Sequence, residues 1–534
     1  MLVTLAQVEA AETVSEALQA RVADLRAGRD VRVEGERIAS RKLIPSFYEE
    51  RGFQPAWTRP AQARALLALI EGSSTHGLDP ADYHVAALRR LADAPAAASA
   101  AVVAERELLR TDALVRLAYH FYFGKANPRE LYPGWNFTRS LGAIDPVEAV
   151  GEIVAADRLV AEVERYAPQL PQYRQLQTAL ARYRAIEVLD GWPQLLAGPK
   201  LERGSEDPRV EVLRKRLAAS GDLREVRAAV PAQFDETLDT AVRHFQARHG
   251  LEVDGVVGPG TRAALNVSVA QRIDQLRANL ERLRWVAQDL AGDYLLVDVA
   301  GFSARLYLEN RLAWSSRAVV GRPYRKTPVF RATMEHVVLN PTWTVPPTIL
   351  REDLMPKLAK DPGYLASHRM QVVDAAGQRV DASDLEWGRY PGERFPYQIV
   401  QAPGGENPLG RMKFLLPNSH AVYLHDTPTA RLFAEPERAF SSGCIRLEAP
   451  LALAELLLDD PERWSALEIE AAIATGATRT LPVGRRVPVL FLYFTAEADE
   501  DGTVRFRRDL YGRDPRVLAA LRAPFRFSPV DRRR

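Results

Sequence analysis

The rest of this chain is arranged around two segments, HDTP at residues 425–428 and FSSGCIR at residues 440–446. Cys444 is the only cysteine among the 534 residues, so it can form neither an intramolecular disulfide nor a zinc site made of several cysteines. Its neighbours are small, which leaves room for a substrate and for backbone N–H groups that face a developing oxyanion. A reactive thiol is one interpretation; the other is a small buried side chain, the usual state of a lone cysteine.

His425 is the candidate partner of this thiol. It follows an alternating apolar run at residues 421–424 that predicts a strand, and from the strand end it could share the proton of Cys444. Such a thiolate–imidazolium pair would have a lowered thiol pKa and a raised imidazole pKa. In a continuing strand Tyr423 shares the face of His425 and would line the site. Asp426 would point away, so we expect a backbone carbonyl to orient the imidazole.

The composition is that of an ordinary globular protein. Hydrophobic residues make up 47% and charged residues 26% of the chain, and the net charge is +2. So small a net charge gives no electrostatic case for binding nucleic acid or an anionic membrane surface. No apolar run approaches the ~18 residues of a membrane span. The start of the chain fits either the end of a signal peptide or an unremarkable terminus, and both interpretations stay open.

The chain is long enough for three or four domains of ~100–200 residues each. An N-terminal segment, residues 1–35, precedes a mainly helical region, residues 36–200, where aromatic side chains at helical spacing are expected to fill a core. Residues 205–267 predict a compact unit of three helices with short loops. From Tyr294 onward the period becomes that of strands joined by turns, which predicts a mostly antiparallel β domain at residues 290–484.

Two further segments complete the predicted α+β multidomain fold. A polar insertion at about residues 346–397, helical at its start, interrupts the β domain, and the sheet is expected to resume at Gln398. The insertion is interpreted as a mobile lid over the site; the alternative is a surface excursion without function. Residues 485–534 are expected to form C-terminal strands and a tail.

Nothing in the sequence requires a metal or another cofactor. No group of His, Asp and Glu has the spacing of metal ligands, and His76, His84 and His120 are expected to be structural. GGENPLGRMKF at residues 404–414 is not a phosphate loop, because no helix follows it directly and no Lys-Ser or Lys-Thr pair closes it.

The pattern His-Asp-Thr, a spacer, then Ser-Ser-Gly-Cys-Ile-Arg resembles the signature of the L,D-transpeptidases, and its Ser-Ser form resembles their YcbB-type branch in particular. Most members of the wider family have Ser-His-Gly-Cys, so Ser442 replaces a second histidine and the role of base falls to His425. Residues 404–414 are similar to another segment of that catalytic domain. Residues 53–57 resemble the scaffold domain of the branch, and residues 205–267 resemble the three-helix peptidoglycan-binding module of cell-wall enzymes.

The resemblance implies a cysteine acyltransferase that acts on peptidoglycan stem peptides. Cys444 would attack the carbonyl of the third stem residue, D-alanine would leave, and the thioester would pass to a second stem, giving a cross-link between two third-position residues. His425 would carry the protons, and N–H groups around Gly443 and Cys444 would hold the oxyanion. Arg446 would orient a substrate carboxylate, or else form only a packing ion pair. The expected site residues are Cys444, His425, Gly443, Tyr423, Ser442 and Arg446.

Two other functions stay open. The same Cys–His pair with water as acceptor would give an L,D-carboxypeptidase, and an inactive protein would be a cell-wall-binding scaffold. The expected partners are donor and acceptor stem peptides, glycan strands at residues 205–267 and other cell-wall synthesis proteins, but not nucleic acid. Because this substrate lies outside the cytoplasmic membrane, we expect an exported, periplasmic protein whose thiol carbapenems acylate.

Overall fold

The computed structural model describes residues 13–92, 98–225, 228–361, 363–387 and 395–531. The expected signal-peptide remnant, in residues 1–12, and part of the insertion, residues 388–394, lie outside these ranges. Within the described ranges, no helix combines the length and the apolar character that crossing a membrane requires.

The N-terminal region consists of helices packed around one long helix. These helices are α1 (Val14–Arg26), α2 (Leu43–Glu50), α3 (Pro60–Gly72), α4 (Val85–Ala92), α5 (Ala100–Phe123), α6 (Pro128–Leu131), α7 (Pro146–Ala155), α8 (Leu159–Glu164) and α9 (Pro171–Val188). A two-stranded hairpin, β1 (Arg32–Val33) with β2 (Glu36–Arg37), lies between α1 and α2. The long helix α5 begins after Ser99, whose side chain accepts a hydrogen bond from the Val102 N–H and so satisfies one free donor of the first turn.

Aromatic side chains fill the core of this region, which confirms the prediction from their helical spacing. Tyr48 and Phe121 are fully buried. The histidines are structural as well: His76 stacks on Phe121, and His84 bonds to the buried carboxylate of Asp112 over 2.8 Å.

Residues 205–267 form the predicted three-helix unit, made of α10 (Arg209–Ser220), α11 (Glu236–Arg248) and α12 (Pro259–Leu265). The unit has a hydrophobic core of its own, which includes Leu213, Val242 and Phe245. A further helix, α13 (Val269–Val286), follows it and packs against α9 and α5, so it joins the helical region to the β domain.

The C-terminal half is built on one large sheet. In chain order the strands of this half are β3 (Tyr294–Asp298), β4 (Ser303–Leu308), β5 (Arg311–Gly321), β6 (Phe330–Thr333), β7 (His336–Leu339), β8 (Trp343–Thr344), β9 (Met370–Val373), β10 (Arg379–Val380), β11 (Gln398–Gln401), β12 (Met412–Leu415), β13 (Leu424–His425), β14 (Ala439–Ser441), β15 (Ile445–Leu447), β16 (Arg479–Pro482), β17 (Pro488–Leu492), β18 (Ala496–Ala498) and β19 (Val504–Phe506). Strands β18 and β19 pair with each other in a separate two-stranded sheet. The large sheet has the order β16-β7-β12-β13-β15-β5-β4-β3-β17-β6, and β14 also pairs with β5. Three of its pairings, β13–β15, β14–β5 and β3–β17, are parallel and the others are antiparallel, which confirms the predicted mostly antiparallel domain.

The insertion, which is called the lid below after its expected role, has its own sheet and core. Its helices are α14 (Pro347–Ile349), α15 (Met355–Leu358) and α16 (Tyr364–Ser367), with a π-helical turn at Leu350–Leu354. We expected Gln398 to rejoin the catalytic sheet, but β11 pairs with β8 and β9 in the order β10-β9-β11-β8, so that expectation is wrong. Ile399 is fully buried in the hydrophobic cluster of the lid, and this burial decides the pairing.

The C-terminal segment is not a separate tail. Strand β17 lies inside the large sheet between β3 and β6, so the boundary that we placed at residue 484 falls just before an inner strand of the domain. Its residues are buried on both faces, as inner strands are. The helices of this half are α17 (Pro450–Leu458), α18 (Ala466–Ala474) and α19 (Asp514–Arg522). The last of them was not predicted, and it packs against α13.

Candidate functional site

The predicted site residues meet on one face of the large sheet, where β12, β13 and β15 run side by side. Lys413 lies opposite His425, and His425 lies opposite Arg446, so these three residues form one row across the strands. Tyr423 and Cys444 precede His425 and Arg446 by two residues, and they form the next row on the same face. The rings of Tyr423 and His425 are 5.7 Å apart, in agreement with this register. Cys444 therefore has Tyr423 as its direct neighbour and His425 as a diagonal neighbour.

Cys444 is partly exposed on this face. Burial of its surroundings raises the thiol pKa, because a thiolate loses hydration there. The backbone N–H and the hydroxyl of Tyr423 oppose this rise, since both donate hydrogen bonds that favour the thiolate. The cations of Lys413 and Arg446 also lower the thiol pKa. The S–H itself points at the Ala421 carbonyl, 3.9 Å away.

His425 is 4% exposed, and a backbone carbonyl holds its ring. Nδ1 donates a hydrogen bond of 2.5 Å to the Asp426 carbonyl oxygen, so in the neutral ring Nε2 is the nitrogen that can accept a proton. The carboxylate of Asp426 instead accepts a bond from the Arg411 N–H over 2.8 Å. The prediction that a carbonyl rather than Asp426 orients the imidazole is therefore confirmed.

The pKa shifts of His425 and Cys444 favour a neutral resting pair. Burial and the cations of Arg446 and Lys413 together lower the pKa of His425 to about 3, against the opposing effect of hydrogen bonds to the Asp426 and Pro408 carbonyls. A lowered imidazole pKa and a raised thiol pKa are the reverse of what an ion pair requires. These shifts disfavour the thiolate–imidazolium pair in the resting site, because burial and two neighbouring cations both oppose a positive charge on the imidazole.

The loop before the nucleophile is fixed by its small residues. Gly443 has φ = 121°, a conformation that favours glycine, and its N–H donates to Ser441 Oγ over 3.0 Å. Ser441 Oγ in turn donates to the Cys444 carbonyl over 2.6 Å. Thr327 Oγ1 donates to the Gly443 carbonyl, and the Thr327 N–H donates to the hydroxyl of Tyr511. The Gly443 N–H is occupied in the resting loop, and a residue beyond the predicted domain boundary supports the loop.

Ser442 connects the same loop to the lid. Its hydroxyl accepts a hydrogen bond of 2.8 Å from Arg325, whose side chain is 9% exposed. The guanidinium of Arg325 also pairs with Asp353 at 2.6 Å and with Glu352 at 2.7 Å, both in the π-helical turn of the lid. One arginine therefore joins the lid to the residue two positions before the nucleophile.

Three residues of this site were missed by the sequence reasoning. Lys413 belongs to the segment 404–414, whose similarity was noted without a role for the lysine; its Nζ lies 3.9 Å from the centre of the Tyr423 ring. Burial raises the pKa of the Tyr423 hydroxyl, and the indole of Trp343, on strand β8, opposes this rise by donating a hydrogen bond to that hydroxyl. Arg325 gave no sequence signal, because its partners are remote along the chain.

Among the residues that the structure describes, no three His, Cys, Asp or Glu side chains are grouped so that they could hold a metal ion.

Three stretches of the chain match protein families. Residues 42–180 match the scaffold domain, residues 206–265 match the "Putative peptidoglycan binding domain", and residues 292–489 match the L,D-transpeptidase catalytic domain. The site described above lies in the third stretch.

Similar proteins carry the same description. A Haemophilus influenzae protein named "Putative L,D-transpeptidase" is 35% identical over 246 residues, which are 46% of this chain and 49% of that protein; the chain thus spans about half the length of this curated relative. An L,D-transpeptidase structure from Mycobacterium smegmatis is 14% identical, with a TM-score of 0.19 over 38% of this chain and 59% of its own. One from Xylanimonas cellulosilytica is 14% identical, with a TM-score of 0.18 over 56% of this chain and 99% of its own.

Proposed function

We propose that this chain cross-links peptidoglycan stem peptides through a thioester on Cys444, because its stretches match the L,D-transpeptidase catalytic domain, a scaffold domain and a putative peptidoglycan binding domain. The observation that supports this most is the arrangement on one sheet face. The only cysteine of the chain lies beside a hydrogen-bond donor, Tyr423, and diagonal to His425, whose Nδ1 is fixed on a carbonyl so that Nε2 is the base.

The first half-reaction forms the thioester. The Cys444 sulfur attacks the carbonyl carbon of the third stem residue while His425 Nε2 takes the thiol proton. The Cys444 N–H and the Tyr423 hydroxyl stabilise the negative charge that develops, because the Gly443 N–H is held by Ser441. The carbon–nitrogen bond to D-alanine then breaks, and the imidazolium of His425 returns its proton to the leaving amine.

The second half-reaction transfers the acyl group. The side-chain amine of a second stem attacks the thioester carbonyl and loses a proton to His425 Nε2. The carbon–sulfur bond breaks, and the thiolate of Cys444 regains that proton. Water in place of the amine gives hydrolysis, so the balance between transpeptidase and carboxypeptidase depends on how well the lid excludes water.

The match of residues 206–265 to a putative peptidoglycan binding domain is consistent with a substrate in the cell wall. We propose that residues 205–267 bind glycan strands or stem peptides and keep the catalytic domain near its polymer. A protein that acts on this substrate works outside the cytoplasmic membrane, so we also propose that it is exported to the periplasm. Fractionation of host cells tests the location: recovery in the cytosol alone would contradict it.

Incubation with purified disaccharide tetrapeptides, followed by mass analysis, tests the reaction. We expect a dimer with the mass of two monomers less one alanine, and an intact-protein adduct of one donor acyl group. Tripeptide without dimer would show an L,D-carboxypeptidase instead. Neither product, from a protein whose thiol still alkylates, would contradict both enzymatic functions and favour a cell-wall-binding scaffold.

A further inference from the structure

Two half-buried cations, Lys413 and Arg446, lie beside the nucleophile and its base. In the described ranges neither Lys413 nor Arg446 pairs with a carboxylate, and Arg446 Nε is buried without a hydrogen-bond partner. Fully buried arginines elsewhere are either paired, as Arg284 is with Glu281 at 2.6 Å, or bonded to neutral groups, as Arg216 is to the Leu265 carbonyl. Two cations that lack a carboxylate and lie on the same face as a nucleophile are positioned to bind an anionic group of the substrate.

The position of Lys413 is fixed rather than loose. Its Nζ lies over the Tyr423 ring, 3.9 Å from the ring centre, and the same tyrosine adjoins Cys444. Strand pairing sets Lys413 opposite His425. The ammonium is thus held over the reacting groups, and its partial burial lowers its pKa.

We infer that Lys413 and Arg446 bind the α-carboxylate of the residue that leaves from the donor stem peptide. This role deepens the proposed function and rests on it. It makes Lys413 a specificity-determining residue, and it gives Arg446 the carboxylate partner that the chain itself does not provide.

The spacing of the strand supports this carboxylate over a more distant one. Arg446 follows Cys444 by two residues on the same face, which is ~6.6 Å along a strand. The α-carboxylate of the leaving residue is separated from the attacked carbonyl carbon only by the amide nitrogen and one carbon atom. A carboxylate so close to the bond that breaks falls between the row of Cys444 and the row of Lys413 and Arg446. If the donor peptide were one residue longer, its terminal carboxylate would lie beyond the row of Lys413 and Arg446.

The same contact would activate the base. The cations of Arg446 and Lys413 contribute to the lowered pKa of His425, and a bound carboxylate would offset both of them. The imidazole would then accept the thiol proton more readily when an anionic donor is in place. An enzyme without donor would keep a protonated, slowly reacting thiol.

Two synthetic tetrapeptide donors, one ending in a free D-alanine carboxylate and one in D-alaninamide, test this role. We expect the wild-type kcat/KM for the acid to exceed that for the amide by about tenfold or more, the factor of a charge-assisted hydrogen bond. Lys413→Met should bring the ratio towards one, mainly through a higher KM for the acid, and Lys413→Arg should restore most of it. Lys413 also affects the reactivity of the thiol, but this effect is the same for both donors and cancels in the ratio of their kcat/KM values.

Protection of the thiol gives a second measurement that needs no turnover. N-acetyl-D-alanine should slow alkylation of wild-type Cys444 by iodoacetamide, its amide should not, and Lys413→Met should lose the protection. An acid-to-amide ratio and a protection that are both unchanged in Lys413→Met would overturn the inference. Loss of protection in a protein that turns over neither donor would support the carboxylate site while contradicting the proposed reaction.

Discussion

The thiol pKa should depend measurably on the hydroxyl of Tyr423. That hydroxyl and the Tyr423 N–H are the groups that most oppose the rise in the pKa of Cys444 caused by burial. Tyr423→Phe removes the hydroxyl but keeps the ring under Lys413 and the backbone N–H. A hydrogen bond to a charged group contributes about 1.5–3 kcal/mol, and the lower end suits this partly exposed site. The loss corresponds to about one pKa unit.

The direction follows from which protonation state the hydroxyl favours. It donates to the thiolate, so its removal raises the thiol pKa further and the thiolate appears at higher pH. Alkylation by iodoacetamide, followed as adduct mass on the intact protein, can report only Cys444 because the chain has no other cysteine. We expect about tenfold slower alkylation of Tyr423→Phe at neutral pH, with the two rates converging in strong alkali.

A matched substitution separates this effect from loss of any tyrosine hydroxyl. Tyr307 stacks on Tyr294 in the same sheet, and Tyr307→Phe should leave the alkylation profile of the wild type unchanged. If the alkylation profile of Tyr423→Phe also overlays that of the wild type, the Tyr423 hydroxyl does not stabilise the thiolate. That result would refute the assignment of Tyr423 as a hydrogen-bond donor to Cys444.

Three further substitutions probe the base, the lid and the loop. His425→Ala should lower turnover of tetrapeptide donors by about 10²–10⁴-fold while moving the alkylation midpoint little, because the resting imidazole is neutral with a pKa of about 3; unchanged turnover would exclude His425 as the base. Arg325→Gln frees the lid turn from Ser442 and should speed labelling of Cys444 by a bulky maleimide relative to iodoacetamide; an unchanged ratio would contradict the link. Gly443→Ala places a side chain at φ = 121°, where strain costs of order 1–3 kcal/mol, and thermal unfolding should show a lower Tm.

Two control variants belong with these measurements. Arg317 pairs with the exposed Glu448 away from the lid, so Arg317→Gln should leave the labelling ratio unchanged. A Cβ atom added at Gly405 would meet open space, and the φ of this residue is not positive. Gly405→Ala should therefore change the free energy of unfolding by no more than about 0.5 kcal/mol and leave Tm nearly unchanged. A fall in Tm of equal size in both glycine variants would mean that the conformation of Gly443 is not the cause.

Local patterns were enough to predict most of the architecture. The three-helix unit at residues 205–267 follows from helical periodicity and short glycine-containing turns, both of which are properties of neighbouring residues. Strand β11 was assigned to the wrong sheet, because four residues with one alternating face can pair with either sheet and only distant packing decides. The same limit explains why we placed a domain boundary at residue 484. The sequence of the apolar strand β17 does not show that it pairs with β3 in the large sheet.

The site was predictable where the evidence was a motif or a two-residue spacing. Cys444 and His425 came from the motif, and Tyr423 from its position on the face of His425. Lys413 and Arg325 could not be found, because the register between strands and the lid contact join residues far apart in the chain. The neutral state of the pair was also out of reach, since it depends on burial and on cations supplied by two other strands.

Cross-linking by wild type and by Cys444→Ala is the most direct test of the central claim. Wild-type protein incubated with purified disaccharide tetrapeptides should carry a transient acyl adduct at its single cysteine and yield dimers joined between third-position residues. Cys444→Ala should fold with a wild-type circular dichroism spectrum and yield neither adduct nor dimer. Dimers formed by Cys444→Ala at the wild-type rate would contradict the thioester, and with it the assignment of this face of the sheet as the active site.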